Sequence, residues 1–312
     1  MAYVAESWHH IEKSELRDLA ITILALAFAF GWRFSGAPTL GNWAGNFMLV
    51  LILVIISVLV HEVVHRLVAI KFHARVHSKL FISAIGAMIL VAILTNGWIV
   101  IAVPWAIYVV PLYMFRPGKP YPKWHLGPFE TALIAVSGPL ANFILAVVAK
   151  MLVPSLGLVA EKMIFINASL AVFNLLPFLT LIPVMFAKMS PRGMKVKDVP
   201  YVEGEFVFFG SRALWTFVFA FVTVGCLSLL AVSALSAVML AFIVSFVAWV
   251  AWAFLYESET YPFQYKDIGP YNPSGIPIGG AHVSWKDYYL DKLKPCEKEP
   301  ESTKEKGKEK KE

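Results

Sequence analysis

Charge is the first thing this chain lacks. Only 15% of its 312 residues are Asp, Glu, Lys or Arg, against 58% hydrophobic. A soluble domain carries about 25% charged residues, so a water-facing globular surface cannot be built from most of this sequence. Mean hydropathy is +0.67, which places the chain among membrane proteins. Cysteine is almost absent. Cys226 in an apolar run and Cys296 near the end exclude a disulfide framework and a cysteine-based metal site. Aspartate is scarce too, at Asp18, Asp198, Asp267, Asp287 and Asp291. The polar start "MAYVAESWHHIEKSELRD" is not a cleavable signal peptide, so the first span would act as an uncleaved anchor. No internal repeat is visible. The net charge of +6 is mostly Lys and Arg in loops and tail. In so apolar a chain it is membrane-orienting charge, and no nucleic-acid partner is expected.

What is present is a series of long apolar runs. A helix needs about 20 mostly apolar residues to cross a bilayer. Candidate spans are 18–35, 43–68, 128–153, 163–187, 213–233 and 235–256. Between the second and third, residues 80–115 are apolar but broken by Gly86, by the turn at 95–97 and by Pro104 and Pro111. Each half is short, so a re-entrant hairpin is expected there, packed on protein or lining a wet cavity. Basic residues collect at 66–79, 116–123 and 188–197, whereas 36–42, 154–160 and 234 carry no Lys or Arg. With a re-entrant hairpin all three basic loops share one face. The positive-inside rule makes that face cytoplasmic, together with both termini. The expected fold is therefore an all-α polytopic membrane protein of about six transmembrane helices. Its parts are an N-terminal segment and first span (1–42), a core (43–215), C-terminal spans (216–256) and a tail (257–312). The tail has no apolar content from about 295 and is expected to be disordered there.

Within the second span, "SVLVHEVVHRLVAI" sets four polar residues, His61, Glu62, His65 and Arg66, into an apolar helix. His-x-x-x-His places two imidazoles one turn apart on one helix face, close enough to share a metal ion at about 2 Å. Glu62 follows the first His, as in HExxH: two zinc ligands and a general base. Composition alone yields this pattern in about one such chain in a hundred. An ionisable residue mid-helix costs about 2.5–3.5 kcal/mol on insertion scales, so such residues are ordinarily kept for function. The bland alternative is interfacial placement, with Arg66 snorkelling and both histidines solvated.

The order of motifs resembles the site-2 protease family of intramembrane zinc metalloproteases. HEVVH lies at the end of an apolar helix. A basic loop and a hydrophobic hairpin region follow. "SGPLANFILA" at 137–146, with Gly138, Pro139 and Asn142, looks like the family's Gly-Pro-x-x-Asn helix. "FNLLPF" at 173–178 looks like the start of its Asn-x-x-Pro…Asp-Gly segment. The likeness covers about 45–215. It implies Zn2+ as cofactor, membrane lipid as surroundings, and a transmembrane protein as substrate, cut near the cytoplasmic face. It also implies that Asn142 and Asn174 hydrogen-bond substrate backbone, with the hairpin at 80–100 steadying an unwound segment. Helix–helix hydrogen bonding is the other reading of both asparagines, and Gly138 and Ala141 are expected to serve close helix packing.

One piece of the pattern is missing. The family's third ligand is the Asp of Asp-Gly, and "NLLPFLTLIPVMFAKM" contains no carboxylate. Glu203-Gly204, in "YVEGEFVFFGSRALW", stands where Asp-Gly would after an insertion. The order of candidates is Glu203, then Asp198, then Glu205. A chain without a third ligand would instead be a non-catalytic scaffold that binds transmembrane segments. A transporter using His61, Glu62 and His65 as a relay is a third reading. Six further histidines (His9, His10, His73, His77, His125, His282) are expected to be solvated. "NAS" at 167–169 falls in an apolar span and is discounted as a glycosylation site. Trp32, Trp43, Trp98, Trp215, Trp252 and Tyr256 are expected to be interface anchors.

Overall fold

A computed structural model describes residues 13–32, 39–103, 105–111, 126–177 and 202–257. The described residues up to Leu255 belong to one unit. In chain order the elements are α1 Lys13–Gly31, α2 Leu40–Lys71, β1 Ala74–Leu80, α3 Ile82–Leu94 and β2 Trp105–Pro111. They continue with α4 Pro128–Leu156, α5 Leu158–Asn174, α6 Glu203–Gly210, α7 Arg212–Ala231 and α8 Ala234–Trp252, which ends in a π-helical turn at Ala253–Glu257.

The protein is mostly helical. Four helical segments are long and apolar enough to cross a membrane: Gly41–Lys71, Pro128–Leu156, Arg212–Ala231 and Ala234–Leu255. They correspond to the expected spans at 43–68, 128–153, 213–233 and 235–256. The expected span at 18–35 overlaps α1, which starts earlier, carries Glu15, Arg17 and Asp18 in its first turns and is not among these four, and residues 33–35 lie outside the described residues. The expected span at 163–187 overlaps α5, and residues 178–187 lie outside the described residues, as do Asp198 and the tail from 258.

α4 is the central helix. Its apolar window is 67% buried, against 11% for α8. α2, α5, α6 and α7 all pack against it. Small residues allow the approach: Ala132, Ala135, Ser137, Gly138, Ala141 and Ala146 line its buried side, as is usual where helices associate within a bilayer. Large apolar side chains such as Leu235, Phe242, Ile243, Phe246 and Val247 point outward from α8, the surface a helix shows to lipid. The α4–α5 connection is a single residue, Gly157, at φ +51°. A Cβ disfavours that left-handed conformation, and glycine adopts it freely.

The segment expected as a basic loop and re-entrant hairpin holds the end of α2, a strand, a short helix and a second strand. α2 runs on to Lys71, so Arg66 is helical. β1 and β2 then form an antiparallel ribbon, with Ser78 opposite Ile107 and Leu80 opposite Trp105. α3, 13 residues long, lies between the two strands in sequence. A 13-residue helix spans about 20 Å at 1.5 Å per residue, too short for a bilayer core of about 30 Å. β1 alternates, with Ala74 and Val76 buried and Arg75 and His77 less so, the period of a half-covered strand.

Candidate metal centre

α2 brings His61 and His65 to α4. Both imidazoles are fully buried. Their rings meet nearly edge to face, 4.7 Å between centroids, and the indole of Trp105 from β2 packs on His61 at 5.4 Å. The third group comes from far along the chain. α6 starts at Glu203, and its carboxylate reaches both histidines: Oε1 lies 2.8 Å from His61 Nε2 and 3.2 Å from His65 Nε2. The two Nε2 atoms are 3.1 Å apart. His61, His65 and Glu203, all buried, form a group that could hold a metal ion.

The outer nitrogens decide what this cluster is. His65 Nδ1 lies 2.8 Å from the carbonyl oxygen of Ile134. A carbonyl only accepts, so Nδ1 carries the hydrogen and the Nε2 of neutral His65 is a bare lone pair. Ser137 Oγ donates to the same carbonyl at 2.7 Å. On His61, Nδ1 meets the Asn142 side-chain amide at 2.9 Å. Which end of an amide faces inward is set by the hydrogen bonds it can make. With Oδ1 turned inward, Asn142 accepts from His61 Nδ1–H, and Oδ1 gains the partner it lacks among the described residues. Then both Nε2 lone pairs and the Glu203 carboxylate point at one spot. Three acceptors converging in a buried space require a cation among them, either a metal ion or protons. A partner on the second ring nitrogen is the usual support of a metal-ligating histidine.

The dimensions fit a small divalent ion. A tetrahedral site with bonds of 2.0–2.1 Å has edges of about 3.3 Å, and the three edges here are 2.8, 3.1 and 3.2 Å. An expansion of a few tenths of an ångström completes the match. Burial pushes the Glu203 carboxyl up, but His61 and His65 beside it, when they carry the protons of the cluster, outweigh this and hold it down to about 2. A metal ion in place of those protons would keep the carboxylate ionised in the same way, as a ligand must be. Its other oxygen, Oε2, has no hydrogen-bond partner among the described residues.

Two glycines make the centre possible. A methyl group on Gly138 would stand 2.6 Å from His61 Cε1 and Nε2 and closer still to His65 Nε2. Gly138 thus packs closely, as expected, but against the imidazoles. Pro139 beside it has no N–H for the carbonyl one turn back and loosens α4 at this turn. Gly204 follows Glu203 and rests on the backbone of Leu175 and Leu176, just after Asn174. The need for glycine after the carboxylate is steric, because α6 meets the end of α5 backbone to backbone. Trp215 Nε1 donates to the Leu175 carbonyl at 2.9 Å and ties down the same turn.

No family model, no curated protein and no solved structure matches this chain.

Of the residues singled out from the sequence, His61, His65, Glu203 and Asn142 come together here. Glu62 is buried next to them in sequence, but its carboxylate is turned to β1, where Ser78 Oγ lies 2.7 and 2.8 Å from its two oxygens. Asn174 is buried at the end of α5, and its Nδ2 has no partner among the described residues. Glu205 is buried on α6 outside the cluster. Burial raises its carboxyl to about 8, against a bond from the Val202 backbone that lowers it. His77, expected to be solvated, lies with Nδ1 4.0 Å from Glu15. Asn167 is fully buried and donates to Ser57 Oγ at 3.0 Å, in keeping with its dismissal as a sugar acceptor. The supports at Ile134, Ser137 and Trp105 were not anticipated. A carbonyl and two common core residues carry no sequence signal of their own.

Proposed function

We propose that this protein is an intramembrane zinc metalloprotease that hydrolyses peptide bonds in or near transmembrane segments of other membrane proteins. The observation that carries the reading is the convergence of His61, His65 and Glu203, with the tautomer of His65 fixed by the Ile134 carbonyl. Two imidazoles and one carboxylate with a neighbouring Glu is the donor set of hydrolytic zinc sites. The ordered motifs at 61–65, 137–146 and 173–178 add a resemblance to site-2 proteases.

In this reading His61, His65 and Glu203 hold zinc. When bound, zinc supplies Lewis acidity and a coordinated water with a pKa of about 7. Glu62 takes a proton from the attacking water as the oxygen bonds to the substrate carbonyl carbon. It then gives that proton to the amide nitrogen as the C–N bond breaks. Asn174 Nδ2 donates to a substrate carbonyl freed from its helix. Asn142 belongs to the site in another way, holding His61. Burial among α2, α4 and α6 keeps bulk water from the reacting groups. The clustering of Lys and Arg orients both termini and the centre towards the cytoplasm, and six crossings are proposed in all. The scaffold alternative was tied to a missing third carboxylate, and Glu203 within 3.2 Å of both histidines supports the catalytic reading over it.

The test is cleavage of a synthetic transmembrane peptide with a fluorophore and quencher flanking a Gly-containing break. The parent protein should cut it, and Glu62→Gln should retain zinc yet cut at least a hundredfold more slowly, within the 10²–10⁴-fold ordinarily supplied by a positioned acid–base group. Equal cleavage by both would remove Glu62 from the chemistry.

A further inference from the structure

Glu62 sits in a web of donors that reaches the N-terminal helix. Ser78 Oγ straddles its carboxylate at 2.7 and 2.8 Å. Arg66, one turn along α2, places Nη2 3.8 Å from Glu62 Oε2, in the favourable Glu-before-Arg order for an i,i+4 pair. That same Nη2 is bound at 2.6 Å by Oε1 of Glu15 on α1. Glu15 is buried, and its Oε1 also accepts from the backbone N–H of Ser78 at 3.4 Å. One turn further on α1, Asp18 Oδ2 accepts from the N–H of Leu80 at 3.3 Å.

The geometry of the ribbon explains these bonds. In an antiparallel pair, alternate N–H groups point away from the partner strand. Ser78 and Leu80 are two apart, so both offer an N–H on the edge of β1 that faces away from β2. Left unpaired, such an edge is a liability. Glu15 and Asp18, three apart on one face of α1, cover it. Their charges lie in the first turns of α1, near the positive end of its dipole. α1 therefore holds β1, β1 carries Ser78, and Ser78 holds Glu62, with Arg66 bridging Glu15 and Glu62 across the gap.

We propose that Ser78, fixed by the Glu15 and Asp18 clamp of α1, is the positioning residue for the Glu62 carboxylate. It rests on the proteolytic reading only in what Glu62 is positioned to do. The hydroxyl supplies a donor to a buried carboxylate and restricts its rotation. The clamp sets where that hydroxyl stands. On this account α1 belongs to the working centre, although it contributes no group to the metal cluster.

The test uses the full chain in detergent, labelled with 13C-carboxyl glutamate, with the Glu62 resonance assigned by its loss in Glu62→Gln. The resonance should move in Ser78→Ala and return towards its parent position in Ser78→Thr, which keeps the hydroxyl on a β-favouring residue. A Glu15→Gln, Asp18→Asn double variant should speed amide exchange at Ser78 and Leu80. Zinc per chain should match the parent in all of them. Cleavage of the fluorogenic transmembrane peptide should fall about tenfold in kcat for Ser78→Ala, the lower end of outer-shell effects, with KM within twofold and recovery in Ser78→Thr. An unmoved Glu62 resonance in Ser78→Ala, or a Ser78→Thr variant that behaves as Ser78→Ala, would overturn the assignment. Where the resonance moves and recovers but the parent protein cuts nothing, the positioning stands and the proteolytic reading falls.

Discussion

Substituting Gly138 by alanine adds one methyl group at the one place where it meets both histidines. The added carbon would lie 2.6 Å from His61 Cε1 and Nε2 and nearer still to His65 Nε2. Optimal non-bonded separations are about 3.5–4.0 Å, so about 1 Å of overlap must be relieved on two rings at once. Neither ring moves freely. His65 is tied to Ile134 at 2.8 Å and His61 to Asn142 at 2.9 Å. Overpacking of this kind costs about 1–3 kcal/mol. If that cost falls on the metal-binding geometry, zinc affinity should weaken by about five- to 140-fold, since 1.4 kcal/mol is a factor of ten. The assay is competition for zinc with a chromogenic chelator, run on detergent-purified parent, Gly138→Ala and Gly86→Ala. Gly86 on α3 has open space around it, so its alanine variant should bind zinc as the parent does. Parent-like affinity in Gly138→Ala would refute the reasoning, because the methyl would then have found room that the geometry denies it.

Asn142→Ala should weaken zinc binding by about 10–100-fold, read by the same chelator competition. Asn142→Asp should restore it, since a carboxylate can accept from His61 Nδ1–H. Gly204→Ala drives a methyl into the backbone of Leu175 and Leu176. It should lower the unfolding temperature of the zinc-free protein and reduce zinc per chain, because Glu203 moves with its neighbour. The Glu205 carboxyl, raised by burial from 4.5 to about 8, binds a proton in the folded state that the unfolded chain has already lost. That contribution to stability is present below about pH 4.5, declines as pH rises towards 8 and is gone above it. Glu205→Gln should flatten this part of the profile in thermal unfolding of the zinc-free protein between pH 5 and 8.

The local part of the site was legible because a helix repeats itself. His61, Glu62 and His65 fall on adjacent positions of one turn, and their spacing specifies their geometry without knowledge of the rest. Glu203 stands 142 residues from His61, and no periodicity links them. It was legible only through the resemblance, as Glu203-Gly204 standing where the family has Asp-Gly, and the close approach of Gly204 to the Leu175 and Leu176 backbone supplies the physical reason for the glycine. The ribbon was missed for a different reason. Residues 80–115 are apolar on every side, so neither period dominates, and the polar alternation of β1 looked like a basic loop. The beginning of α1 was misplaced because Glu15, Arg17 and Asp18 argue against a buried helix until the acceptor roles of Glu15 and Asp18 towards β1 are seen. Trp215 illustrates the same limit. Its position near a span end suggested an interface anchor, and nothing in the sequence announced that its indole N–H binds the Leu175 carbonyl.

The central claim is a metal ion held by His61, His65 and Glu203. The most direct measurement is zinc per chain in detergent-purified protein, determined for the parent, His61→Ala and Glu203→Ala after identical incubation with zinc and desalting. The account predicts about one zinc in the parent and loss of it in both variants. No zinc in the parent, or full occupancy in Glu203→Ala, would contradict it.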